Sequence, residues 1–143
     1  MKTLFVYAKY KQTLLLSDAA LAKLKEEFGD GARLGLCSAI NFINSLEGIQ
    51  EQLQEAGFQV EQLKGVHSYE QGQVLGCDMP VFSSGTYAGY VYIGDGAFHP
   101  KGMQLNTDLK IFTYNPFDQT FELFESDAED LNKKHKVAMT KFL

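Results

Sequence analysis

Short β-branched and aromatic runs alternate along this chain with longer stretches whose apolar residues recur at helical spacing. That alternation restricts the fold more than any other feature. Residues 3–10 read as a strand, and Ser17 is then placed to cap a helix with an apolar stripe of Leu21, Leu24 and Phe28, closed by Gly29. Residues 33–37 form a short apolar strand. Ile40, Ile43, Leu46, Ile49 and Leu53 predict a second helix, with Gly57 as its stop. Strands are expected at 58–62, 87–93 and 109–114, the last ended by Pro116, and an edge or hairpin strand at 120–124. Ser126-Asp127-Ala128-Glu129 has the pattern of a capping box opening a last helix. Strand–helix alternation of this kind predicts an α/β fold. Its expected form is a three-layer sandwich with a mostly parallel sheet of four to five strands flanked by helices. No repeat, low-complexity tract or linker interrupts it, so residues 1–143 read as one domain.

Length and charge narrow the function classes. The chain has 143 residues, of which 45% are hydrophobic and 22% charged, values ordinary for a soluble globular domain with one real core. The formal net charge is −5, with no lysine- or arginine-rich stripe, which speaks against electrostatic binding of nucleic acid. The one basic cluster, Lys133, Lys134 and Lys136, falls where a helix C-terminus would welcome cations. No stretch approaches the ~20 apolar residues of a membrane span, and residues 1–7 carry no cleavage site of a signal peptide. Cys37 and Cys77 lie too far apart for a paired zinc motif and do not form a disulfide framework. A reducing, cytoplasmic setting is the expectation.

Ligands of parallel sheets gather outside the carboxyl ends of the strands. Three informative segments fall there: Cys37-Ser38, the polar and aperiodic loop 64–76 that leads to Cys77, and the run 94–100. Cys77 stands between Gly76 and Asp78. Its sequence neighbours suit a thiolate exposed to a soft metal, and equally a small buried hydrophobe. Cys37, at the end of an apolar strand, reads as a core thiol. His99 precedes Pro100 in a glycine-rich turn, where it could orient a carboxylate or phosphate or cap a helix start. His67 and His135 read as solvated. Gly94-Asp95-Gly96 lacks the third glycine of a dinucleotide fingerprint, and no Walker lysine follows. Its amides could still cradle an anionic group, while Asp95 would repel a phosphate but could pair with an amino or ribose hydroxyl group.

Four segments together carry a family resemblance: residues 1–10, LGLCSAINF at 34–42, GQVLGCD at 72–78, and YIGDGAFHP at 92–100 with YNPF at 114–117. The chain resembles the central domain of the diphthamide synthases, also called 2-(3-amino-3-carboxypropyl)histidine synthases. The resemblance implies three similar α/β domains, each giving one cysteine to a single 4Fe–4S cluster. That cluster binds S-adenosylmethionine and cleaves it to a 3-amino-3-carboxypropyl radical. The radical adds to a histidine of translation elongation factor two. By the same resemblance Cys77 is the metal ligand, and Gly76, Asp78, Gly94, Asp95, Gly96 and His99 line the cofactor site. Ala97 stands where the family usually has Arg, Asn41 where it has Gln, and Asn115 where it has Asp. The likeness covers about a third of a family member, and one cysteine cannot hold a cluster that needs three. Three copies around a threefold axis, or other chains carrying the remaining domains, would supply the rest; a piece of a longer chain is the third arrangement. The alternatives to a transferase component are a non-catalytic scaffold and a small-ligand-binding module that works without metal.

Overall fold

The computed structural model describes residues 9, 11–65, 67–74, 87–96 and 98–125. The described elements run α1 (Asp18–Phe28), β1 (Arg33–Ser38), a 3-10 helix (Ile40–Ser45) continuing into α2 (Leu46–Glu55), β2 (Gln59–Gln62), β3 (Gly89–Ile93), α3 (Phe98–Gln104), β4 (Lys110–Asn115) and β5 (Thr120–Phe124). The strands form one sheet in the order β2-β1-β3-β4-β5. β1 pairs in parallel with β2 and β3, β3 in parallel with β4, and β5 returns antiparallel to β4. This is the α/β architecture expected from the alternation, with its mostly parallel sheet. The predicted strand over 3–10 and the predicted helix from Ser126 lie outside the described residues.

The helix ends follow local chemistry. The Ser17 hydroxyl accepts from the Ala20 amide at 3.2 Å, pairing one of the orphan donors of α1, and the Gly29 amide closes the helix onto the Lys25 carbonyl at 3.0 Å. The second helix departs from expectation in its first six residues, which wind as a 3-10 helix. Ile40, Ile43 and Leu46 recur every third residue, the period that keeps one stripe inward in the tighter helix. Asn41 and Asn44 are poor residues for an α-helix interior. Past Leu46 the inward positions Ile49 and Leu53 are four apart, and the chain relaxes to α geometry.

Alternation along the strands sorts side chains onto two faces. Leu34 and Leu36 of β1, Val91 and Ile93 of β3, and Phe112 and Tyr114 of β4 meet Leu24 of α1 and Leu46, Ile49 and Leu53 of α2. On the opposite face, Cys37, Tyr90, Tyr92 and Ile111 pack with Leu63, Val74 and Met103 of α3. Every residue of β3 is buried, as befits the middle of a sheet covered on both sides.

Tyr114 holds α1 to the sheet. Its fully buried ring sends a hydroxyl to the α1 N-terminus, where it accepts from the Ser17 amide at 3.1 Å and donates to the Leu15 carbonyl at 3.2 Å. The motif residue at the head of YNPF is therefore a structural tie. Tyr114→Phe keeps the ring but leaves a backbone donor and acceptor unpaired. It should cost about 1–3 kcal/mol of unfolding free energy, read from the urea midpoint at constant slope.

Candidate functional site at the carboxyl edge of the sheet

The strand order reverses direction between β1 and β3: one crossover leads outward to β2 and the other to β4. Such a switch point opens a crevice at the carboxyl ends of the strands. Ser38 closes β1 there and is fully buried. Its amide donates to the Gly72 carbonyl at 2.8 Å, and its carbonyl accepts from the Val74 amide at 2.9 Å. The next residue, Ala39, donates to the Ile93 carbonyl of β3 at 3.3 Å, and Gly94 donates to the Tyr114 carbonyl of β4 at 3.0 Å. The ends of three strands and the segment 72–74 are thus stitched together by main-chain bonds.

The loop before Cys77 is ordered by one side chain. Gln73 is buried, and its Oε1 accepts from the amides of Tyr69 and Glu70, each at 3.0 Å, while its own amide donates to the Glu70 carbonyl at 3.1 Å. Parallel bridging of Gln73 to Ser38 then extends the sheet by one position. Gly72 has φ +85°, and a Cβ there would run into the Leu46 side chain, so both conformation and space demand glycine. The aperiodic polar stretch expected to be a bare loop is instead a turn closed on a buried amide. Its residues read as polar because their partners are backbone groups.

At the end of β3, Tyr92 and His99 meet. Tyr92 is buried, and its hydroxyl lies 3.3 Å from His99 Nδ1, with the rings stacked at 6.0 Å between centroids and 29° between planes. A Cβ on Gly94 would lie 2.5 Å from that hydroxyl, which is why the turn begins with glycine. Gly96 follows with φ +87°, and Asp95 between them is exposed. His99 sits inside the first turn of α3 and does not cap it. Burial holds the His99 pKa below its usual value of 6.5 and pushes that of Tyr92 up, with the Asp95 carboxylate adding to the second shift. Beside the turn, a cleft of about 210 Å³ is lined by Gly94, Gly96, Thr113, Asn115, Thr120 and Glu122, among others, on the α3 side of the sheet. Asn115 Oδ1 accepts from the Phe117 amide at 3.0 Å, a turn-forming bond that an aspartate would make equally well.

Cys37 is the core thiol the sequence implied. It is fully buried, its Sγ is 3.8 Å from the Val91 carbonyl, and desolvation drives its pKa far above the ordinary thiol value. A thiol held protonated in this way is a poor metal ligand. His67 is exposed, as expected. Gly76, Cys77, Asp78, Ala97 and His135 lie outside the described residues. Among the described residues no group of three or more His, Cys, Asp or Glu side chains is placed to hold a metal ion, and no helix is long and apolar enough to cross a membrane. Sequence reasoning passed over Tyr92 and Gln73. Tyr92 could have been found from the two-residue period that sets it on the same face as Tyr90. Gln73 stands in the GQVLGCD run, but nothing in the sequence says that its side chain closes a turn.

Comparison with known proteins places this edge in a family. The family model described as "Putative diphthamide synthesis protein" matches residues 1–143, so the chain belongs to the diphthamide synthesis family. More particularly, it is 28% identical to 2-(3-amino-3-carboxypropyl)histidine synthase subunit 1 of Schizosaccharomyces pombe, over 99% of this chain and 33% of that protein. It is 29% identical to the protein of the same name from Nematostella vectensis, over 78% of this chain and 23% of the relative. The chain therefore spans about a quarter to a third of the length of these curated relatives. A similar solved structure is Dph2 from Pyrococcus horikoshii with a 4Fe-4S cluster, with a TM-score of 0.71 and 25% identity, covering 93% of this chain and 38% of that one. A second Dph2 structure from the same organism gives a TM-score of 0.64 at 28% identity, over 88% of this chain and 37% of that one.

Two measurements check the chemistry of the edge. In a Cys77→Ala background, Cys37 should resist iodoacetamide in the native protein and react fully in denaturant; native labelling would contradict its burial. For His99 the folded pKa lies below the unfolded value of 6.5. The unfolded chain then takes up a proton that the folded chain refuses. The stability associated with neutral His99 is complete above that pH and is lost as pH falls through the folded value. His99→Gln should therefore flatten the stability curve between roughly pH 7 and pH 5, measured by urea unfolding across that range.

Proposed function

We propose that this chain is an iron–sulfur module of 3-amino-3-carboxypropyl transfer in diphthamide formation. In this reading residues 1–143 form one domain equivalent to the central domain of the longer relatives. Cys77 gives a single thiolate to a 4Fe–4S cluster. The remaining ligands come from other diphthamide synthase domains or from further copies of the chain, a threefold assembly being the simplest closed form. S-adenosylmethionine is the donor, and a histidine of translation elongation factor two is the acceptor, in the cytoplasm. When bound, the cluster supplies a metal site and a reducing electron for the donor.

The observation that supports this reading most is the stitching of both glycine motifs to the same carboxyl edge. Val74, three residues before Cys77, is hydrogen-bonded to Ser38, and Ala39 is hydrogen-bonded to Ile93, the last residue of β3 before Gly94. The donor chemistry agrees. Cys37 is excluded by burial, which leaves Cys77 between a glycine and an aspartate as the thiol available to a metal. Gly76 and Asp78 flank that ligand, while Gly94, Asp95 and Gly96 offer backbone amides and a carboxylate to the amino and hydroxyl groups of the donor. His99 faces the same turn from α3.

A metal-free ligand-binding module is the second reading, favoured by the polar cleft beside the turn. Anaerobic reconstitution with iron and sulfide, followed by iron content and mass by light scattering on one sample, separates the two. The expected result is a brown protein with about four irons per three chains in a self-assembled trimer, or iron uptake only on mixing with partner domains. Cys77→Ala should abolish the iron and Cys37→Ala should retain it. An iron-loaded Cys77→Ala protein, or adenosylmethionine binding by a colourless monomer with no uptake in any mixture, would overturn the proposal.

A further inference from the structure

A tyrosine that no functional reading has used decides what His99 can do. Tyr92 is 1% exposed, and among the described residues its hydroxyl has one hydrogen-bond partner, Nδ1 of His99. A buried hydroxyl needs an acceptor for its proton, since an unpaired donor away from water carries the full desolvation penalty. A ring nitrogen accepts only when it carries no hydrogen, and a neutral imidazole has its hydrogen on the other nitrogen. Stacking of the two rings at 29° fixes the imidazole plane as well. Gly94 provides the room for this arrangement, because any side chain there would strike the Tyr92 hydroxyl.

We infer that Tyr92 is the positioning residue for His99, donating its hydroxyl proton to Nδ1 and so holding the imidazole as the neutral Nε2–H tautomer. In that tautomer Nδ1 is occupied by the tyrosine proton and Nε2 carries a hydrogen, so the ring has no lone pair left for a metal ion. Both pKa directions agree with it. Burial favours the neutral imidazole and the protonated phenol, the two forms the bond requires.

The test is a long-range proton–nitrogen correlation spectrum of the full chain labelled with nitrogen-15 histidine. There are three histidines, and His99→Gln assigns the signal. In the unaltered protein His99 should appear as the Nε2–H form, with Nδ1 at the shift of an unprotonated, hydrogen-bonded nitrogen. In Tyr92→Phe that Nδ1 shift should be lost and the two tautomers should mix. An Nδ1–H form in the unaltered protein, which needs no variant to observe, would overturn the inference, and so would an unchanged spectrum in a folded Tyr92→Phe.

Discussion

The parallel pairing of β1 with β3 is the interaction on which the rest depends. Leu34 to Ser38 lies beside Gly89 to Ile93, both strands point the same way, and both are buried on their two faces. A parallel pair cannot be closed by a tight turn, so each connection must cross over, and each crossover brings cover to a face. The α2 crossover covers one face and α3 the other. The place where the crossovers diverge is necessarily open at the strand ends, and the glycine motifs gather there. In this sense the site is a by-product of making a buried parallel sheet.

Chemistry at that edge divides between residues that hold the chain and residues that present groups. Gln73, Ser38 and Tyr114 tie backbone segments together: the turn at 69–73, the end of β1, and the start of α1. Cys37 shows how position overrides residue type. Cys37 belongs to a buried strand, and desolvation keeps its proton on. Cys77 follows a turn whose last described residues are tied to the sheet rim.

Much of this was legible in the sequence, and the reason lies in local physics. Ser17 and Gly29 bound α1 because capping is a local hydrogen-bonding problem. The strands at 33–38, 89–93, 110–115 and 120–124 were marked by apolar, β-branched or aromatic runs with turn residues between them. The burial of Cys37 followed from its place in such a run. The 3-10 opening of the second helix was less visible, since three-residue and four-residue spacing share a stripe over so short a length. The ordered turn around Gln73 was not visible at all. Its bonds join an amide side chain to backbone groups, and composition alone reads such residues as solvated.

By itself, the sequence determined the order of elements, the identity of the caps, the alternating faces of the strands and the two glycine motifs with the residues they carry. These are properties of neighbours along the chain. Tertiary structure alone decided that Ser38 would bridge Gln73, that Tyr92 would lie under His99, and that the Tyr114 hydroxyl would meet the N-terminus of α1. Each of these contacts depends on the side on which a crossover packs and on the register in which parallel strands align. That choice is made by burying both faces of the sheet at once, a condition no local stretch of sequence can state.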